Sequence, residues 1–128
     1  MYKPNARYNK VVASASGWYT VVDLNISFPY GFMESPLETI NLANLFEKKV
    51  IIQVGSLDND PNSSALRHNQ YADAQGLNRL DRAQHFFNEA AVLANDNNLQ
   101  FQWELQINEG ADHNFETASE HAADLIFN

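Results

Sequence analysis

Residues 50–55 read VIIQVG, and this run constrains the fold more than any other stretch. Four of its six residues are β-branched, which suits a strand. It shows no alternation that would leave one face in water. A strand of that kind is buried on both faces, as in the middle of a parallel sheet. Parallel neighbours need crossover connections, usually helical, so the flanking sequence should hold helices.

It does. Ahead of the run, SPLETINLANLFEKK (35–49) carries a helix-start signature, with Ser35 as N-cap, Pro36 in the first turn and Glu38 closing a capping box. Leu37, Ile40, Leu42, Leu45 and Phe46 supply its apolar face. After the run, residues 76–98 place Leu77, Leu80, Ala83, Phe87, Ala90, Ala91 and Ala94 at helical spacing. Residues 115–127 form a third helix, with Phe115, Ala118, Ala122, Leu125 and Ile126 on one face.

Two further strands complete the order. KVVASAS (10–16) is short and apolar and ends at Gly17. In residues 100–107, Phe101, Trp103, Leu105 and Ile107 point one way and Gln102, Glu104 and Gln106 the other. The pattern strand–helix repeated three times predicts an α/β fold, a short parallel sheet of about three strands with helices on both faces. The continuous strand belongs at the centre and the alternating one at an edge. Two helices should cover one face and the last helix the other. Residues 17–35 form a long aromatic loop, and 58–75 a polar, irregular segment.

At 128 residues the chain is expected to be a single domain, 1–128. Its formal charge is −8, with 16 acidic against 8 basic residues. Such a chain repels phosphate backbones, so nucleic acid is excluded as a partner. It has no cysteine, hence no disulfide, thiol nucleophile or thiolate metal site. Lys3, Arg7 and Lys10 precede an A-x-A pattern, but the apolar stretch is shorter than the ~7 residues a signal peptide needs. No run approaches the ~18 apolar residues of a membrane span. A soluble, cytoplasmic protein without cofactor or membrane partner is the expectation.

Two polar residues gain meaning from this topology. Asp58 follows the central strand and His113 follows the next one, so both fall on the carboxyl-end rim where open α/β sheets place their sites. An acid followed by a histidine is the latter part of the Ser…Asp…His order of α/β-hydrolases. There the acid orients an imidazole that serves a serine as base. Asp60 is a second acid of the same turn. By themselves, Asp58 also suits a turn former and His113 a helix-start residue. DNDPNS (58–63) imitates a calcium loop but has Ser63 where glycine is needed and Asn69 where glutamate is needed; no metal is expected. Trp18, Tyr19, Phe28 and Tyr30 suit either an acyl-pocket wall or the packing of their own loop. His68, His85 and His121 show no ligand-like pairing, and Arg79 and Arg82 are expected to pair with Asp81 or nearby carboxylates on a solvated helix face.

In order along the chain, ASGWYT (15–20), FPYGF (28–32), VGSLDND (54–60), QGLNRLDRAQHFF (75–87) and FQWELQINEGADH (101–113) together resemble the C-terminal half of α/β-hydrolase-fold proteins of the bacterial esterase or polyhydroxybutyrate-depolymerase-like group. The resemblance implies a three-layer, partial α/β-hydrolase-like fold, with Asp58 as triad acid and His113 as triad histidine. The chain departs from the family at Asp112, where many relatives have glycine, and in the nucleophile. Its five glycines form no G-x-S-x-G elbow.

The expected function is therefore that of a hydrolase-like chain with acid and histidine but no nucleophile, inactive alone. The alternatives are a small-ligand or protein-binding module on the same fold, and an ester hydrolase completed by a partner chain. An independent flavodoxin-like domain ranks last, because only Gly17 follows the first strand where a phosphate loop would lie. The 10–16 strand should present an unpaired edge. A homo-oligomer, most simply a dimer, is expected through that edge or through the uncovered sheet face. A separately encoded N-terminal half would be the other partner.

Overall fold

The computed structural model describes residues 7–128; Lys3 of the basic start lies outside them. Three strands, β1 (Val11–Ser14), β2 (Val50–Gly55) and β3 (Trp103–Asn108), run parallel in the order β1-β2-β3. The continuous apolar run is the central strand, and all its residues are buried. Register aligns Val50 with Val11 and Trp103, and Ile52 with Ala13 and Leu105. Aligned residues share a face, so Val50, Ile52, Val54 and Trp103 front one core with Ala83, Phe86, Ala90 and Ala94.

On that face lie α1 (Leu42–Phe46) and α3 (Arg79–Asp96), the latter across β2 and β3. A short α2 (Gln70–Asp73) sits in the polar segment between them. The last helix, α4 (Phe115–Phe127), lies against β1 and β2, and Lys10 Nζ donates to the Leu125 carbonyl near its end. Ile51 and Gln53 point away from the first core and are also buried. The sheet is thus covered on both faces, as expected.

Three details differ from the sequence reading. The 35–49 helix is broken: Ser35 caps a 3-10 turn, Pro36–Thr39, then Ile40 turns extended and Asn41 caps α1 afresh. The Glu38 carboxylate accepts from the Glu34 N–H rather than from Ser35. A second good cap so close to the first lets the chain restart and lay Leu45 and Phe46 into the core. Helix α3 starts only at Arg79, after the Asn78 cap, which leaves Leu77 outside it and 56% exposed. In α4, Phe115 and Ile126 do not join a buried face, and no residue of that helix is buried.

The 17–35 loop packs on itself and on the core. Val21 and Tyr30 are joined by a backbone hydrogen bond of 2.8 Å, as are Phe32 and Asp23. Val21, Tyr30 and Phe32 are buried.

Candidate active site

The turns after β2 and β3 are stitched together by backbone. Ser56 N–H donates to the Asn108 carbonyl at 3.0 Å, and Leu57 N–H to the Ala111 carbonyl at 2.9 Å. The Ser56 hydroxyl accepts from the Gly110 N–H at 2.8 Å. This approach demands glycine at the end of β2: a Cβ on Gly55 would stand 2.2 Å from the Ala111 carbonyl oxygen. Residues 108–112 can lie on β2 because that side chain is missing.

The stitched turns bring Asp58 and His113 together. Asp58 Oδ2 is 2.8 Å from His113 Nδ1. The carboxylate is only 4% exposed, while the imidazole is 45% exposed. An ionised carboxylate only accepts, so Nδ1 carries the proton and Nε2 of the neutral ring is left as acceptor. This is the arrangement of an oriented general base: carboxylate behind, basic nitrogen in front.

The second carboxylate oxygen faces Arg79. Its guanidinium lies 3.5 Å from Asp58 Oδ1 and donates to the Ser63 hydroxyl at 3.0 Å. Arg79 is 3% exposed, so the carboxylate is buried beside a cation rather than alone, and burying it alone would be costly. The Asp58 carbonyl also accepts from the Leu80 N–H in the first turn of α3, fixing the acid to that helix.

Arg79 and Arg82 pair with carboxylates, Asp58 and Asp73 rather than Asp81, but both are buried, which corrects the expectation of a solvated face. Arg82 is fully buried; it donates to the carbonyls of Gly17, Arg67 and Gly76 and pairs with Asp73 Oδ1 at 2.9 Å. Burial holds its guanidinium below the usual arginine range. It ties the loop after β1 to the segment before α3. A signal for both was present in the sequence. Cations in the first turn of a helix oppose its dipole, so two arginines there point to carboxylate or carbonyl partners.

The other residues singled out from the sequence divide. Asp60 is not part of the pair; it accepts from the Asn62 N–H at 2.8 Å as a local turn. Tyr19 belongs to the core, 6% exposed and stacked on Phe86 with ring centroids 4.5 Å apart. Gln75, unremarked in the sequence, holds both its backbone N–H and its carbonyl. Burial pushes the Tyr19 phenol up to about 12. Trp18 packs on Tyr30 at 4.8 Å, and Tyr30 stacks on Tyr71 at 5.4 Å. The Tyr30 oxygen accepts from Arg67 and Asn69, which lowers its phenol from the ordinary tyrosine value. Phe28 is 55% exposed. Of these four aromatics, Tyr30 lines a cavity of ≈ 710 Å³, which Asp58 and His113 do not reach.

Beside the exposed side of His113 lies a cavity of ≈ 320 Å³, bounded also by Ser14, Ala15, Asn114, Phe115 and Ala118. The Ser14 hydroxyl is buried there without a hydrogen-bond partner among the described residues. Among the described residues no serine is hydrogen-bonded to His113, and none form a group of three or more metal-ligating side chains.

Solved structures similar to this chain include two hydrolytic or depolymerising proteins. Poly(aspartic acid) hydrolase-1 from Sphingomonas sp. KT-1 superposes with a TM-score of 0.89 at 34% identity, over 98% of this chain and 47% of that one. LpqC, a poly(3-hydroxybutyrate) depolymerase from Bordetella parapertussis, gives 0.84 at 28% identity, over 94% and 41%. The chain thus spans less than half the length of either relative. It matches no protein-family model and no curated protein sequence.

Proposed function

We propose that this chain, which has the fold of part of an α/β-hydrolase of the esterase and polyhydroxybutyrate-depolymerase-like group, supplies the acid and the base of a serine-hydrolase-type triad. The observation that carries this reading is the 2.8 Å contact between Asp58 Oδ2 and His113 Nδ1, with a half-exposed imidazole.

The chemistry is acyl transfer to water. A serine Oγ attacks the acyl carbonyl while His113 Nε2 takes its proton; the same nitrogen then protonates the leaving group. Water repeats the sequence and frees the acid. Asp58 fixes the tautomer and stabilises the imidazolium. One similar protein is named a poly(aspartic acid) hydrolase and the other a poly(3-hydroxybutyrate) depolymerase, which suits this reaction class. No G-x-S-x-G elbow occurs in the 128 residues. The reading therefore includes little or no ester hydrolysis by the chain alone, and hydrolysis once a serine and oxyanion donors are brought to the cavity beside His113.

A fluorophosphonate probe followed by intact-mass measurement tests this directly. The expected result is no adduct on the isolated chain. A stoichiometric adduct on one serine, lost in His113→Ala, would show that the chain activates a serine of its own and would overturn the missing-nucleophile part. An adduct indifferent to His113→Ala would overturn the base.

A further inference from the structure

A second cavity, ≈ 710 Å³, is lined by neither Asp58 nor His113. It opens between the 21–26 loop, the segment around Ile40 and the outer side of α3. Its volume is that of a small-molecule site, which spans roughly 300–1,000 Å³. Ile26, Ile40, Leu42 and Leu93 form its walls while also packing against the core, so the walls are preformed. Val92, at the mouth, is 57% exposed.

The charged groups of this cleft are of one sign. Asp23 and Glu38 line it from the loop side, their carboxylates accepting from the Asn25 and Glu34 N–H groups. His85, Glu89 and Asp96 line it from α3, at positions 4 and 11 residues apart that fall on one stripe of a helix. No lysine or arginine lines the cleft. Glu89 and Asp96 make no ion pair among the described residues. Asp96 is moreover the last residue of α3, and no basic residue stands in that last turn. A carboxylate at the negative end of a helix dipole is unfavourable by itself. Together the helix end and four carboxylates, of which Glu89 and Asp96 lie on α3, make a negative rim over an apolar floor.

We propose that this cleft binds an amphiphilic cation, a molecule with a hydrocarbon or aromatic body and one ammonium group. The body lies against Ile26, Ile40, Leu42 and Leu93, and the ammonium sits between Glu89 and Asp96. This site is independent of the acid–histidine pair.

The test is titration of the full chain with octylammonium, octanol and octanoate, read by calorimetry and by amide NMR shifts. Octylammonium should bind saturably, with shifts confined to residues 21–42, 71–75 and 85–96. It should bind roughly tenfold tighter than octanol, the scale of two exposed ion pairs. The double variant Glu89→Gln, Asp96→Asn should bring the two ligands level, and Val92→Lys should abolish binding of both. All three positions are exposed, so the fold should tolerate the changes. Octanoate binding as tightly as octylammonium, no saturable binding by any of the three, or shifts outside the cleft would each overturn the proposal. So would protein-concentration-dependent shifts at the cleft without ligand, which would make it an interface between copies.

Discussion

Asp58 has two oxygens, and the structure gives each one cationic or protonic partner. Removing Arg79 would leave a buried carboxylate with only the half-exposed His113. Arg79→Met is therefore expected to destabilise the fold by roughly 3–5 kcal/mol, measured by urea unfolding. Arg79→Lys keeps the charge and should lose less; equal losses would mean that packing, not charge, explains the residue. Asp58 and His113 were legible in the sequence because their positions after consecutive parallel strands define a rim. The burial of Arg79 was not, although its place in a first helical turn hinted at a partner, because a helix-surface pattern allots charge to solvent and says nothing of a loop folding over that surface. Tyr19 shows the same limit. Its phenol is raised to about 12 by burial against an unfolded value of about 10. The unfolded chain thus loses the phenolic proton first, so the stability this residue contributes is intact below about pH 10 and fades as pH rises toward 12. Denaturation midpoints across pH 9–12 together with phenolate absorbance check this: a Tyr19→Phe variant should lose less stability over that window.

Between elements, the turn after β2 decides whether the pair exists. Gly55→Ala places a methyl into the Ala111 carbonyl, and a backbone clash of that kind must be relieved by moving residues 108–112. The expected result is a loss of roughly 1–3 kcal/mol and a loosened Asp58–His113 contact. Nitrogen NMR of the imidazole reads the second part: the Nδ1–H tautomer enforced in the wild type should give way to a mixture. A stable variant with the tautomer unchanged would show that the close approach is incidental. The sheet order was readable at this scale, since continuous and alternating apolar patterns follow directly from two-sided and one-sided burial. The break at Ile40 was hidden because Ser35, Pro36 and Glu38 look the same whether they open a long helix or a single turn. Only the fit of Leu45 and Phe46 into the core distinguishes the two.

For the whole molecule, the open question is what lies on the outer side of β1. Among the described residues that strand pairs only with β2, and its outward N–H and C=O groups form a template for another strand. The neighbouring α4 has no buried residue, and Phe115 and Phe127 are 79% and 84% exposed. An unpaired edge and an uncovered aromatic helix on the same side of one sheet are what association would cover. A homodimer through β1 and α4 is the simplest soluble arrangement. It predicts a molar mass of twice 14.5 kDa by light scattering at micromolar concentration. Phe127→Asp together with Val12→Pro should then return the chain to a monomer, since one change charges the helix face and the other removes an edge donor. A nucleophile-bearing partner would use the same edge, because the 320 Å³ cavity touches both β1 at Ser14 and α4 at Phe115. The two arrangements compete, so a dimer that dissociates when such a partner is added would link assembly to catalysis. A chain monomeric at all accessible concentrations would exclude the dimer. It would leave the edge of β1 as the surface on which a complementing half must be sought.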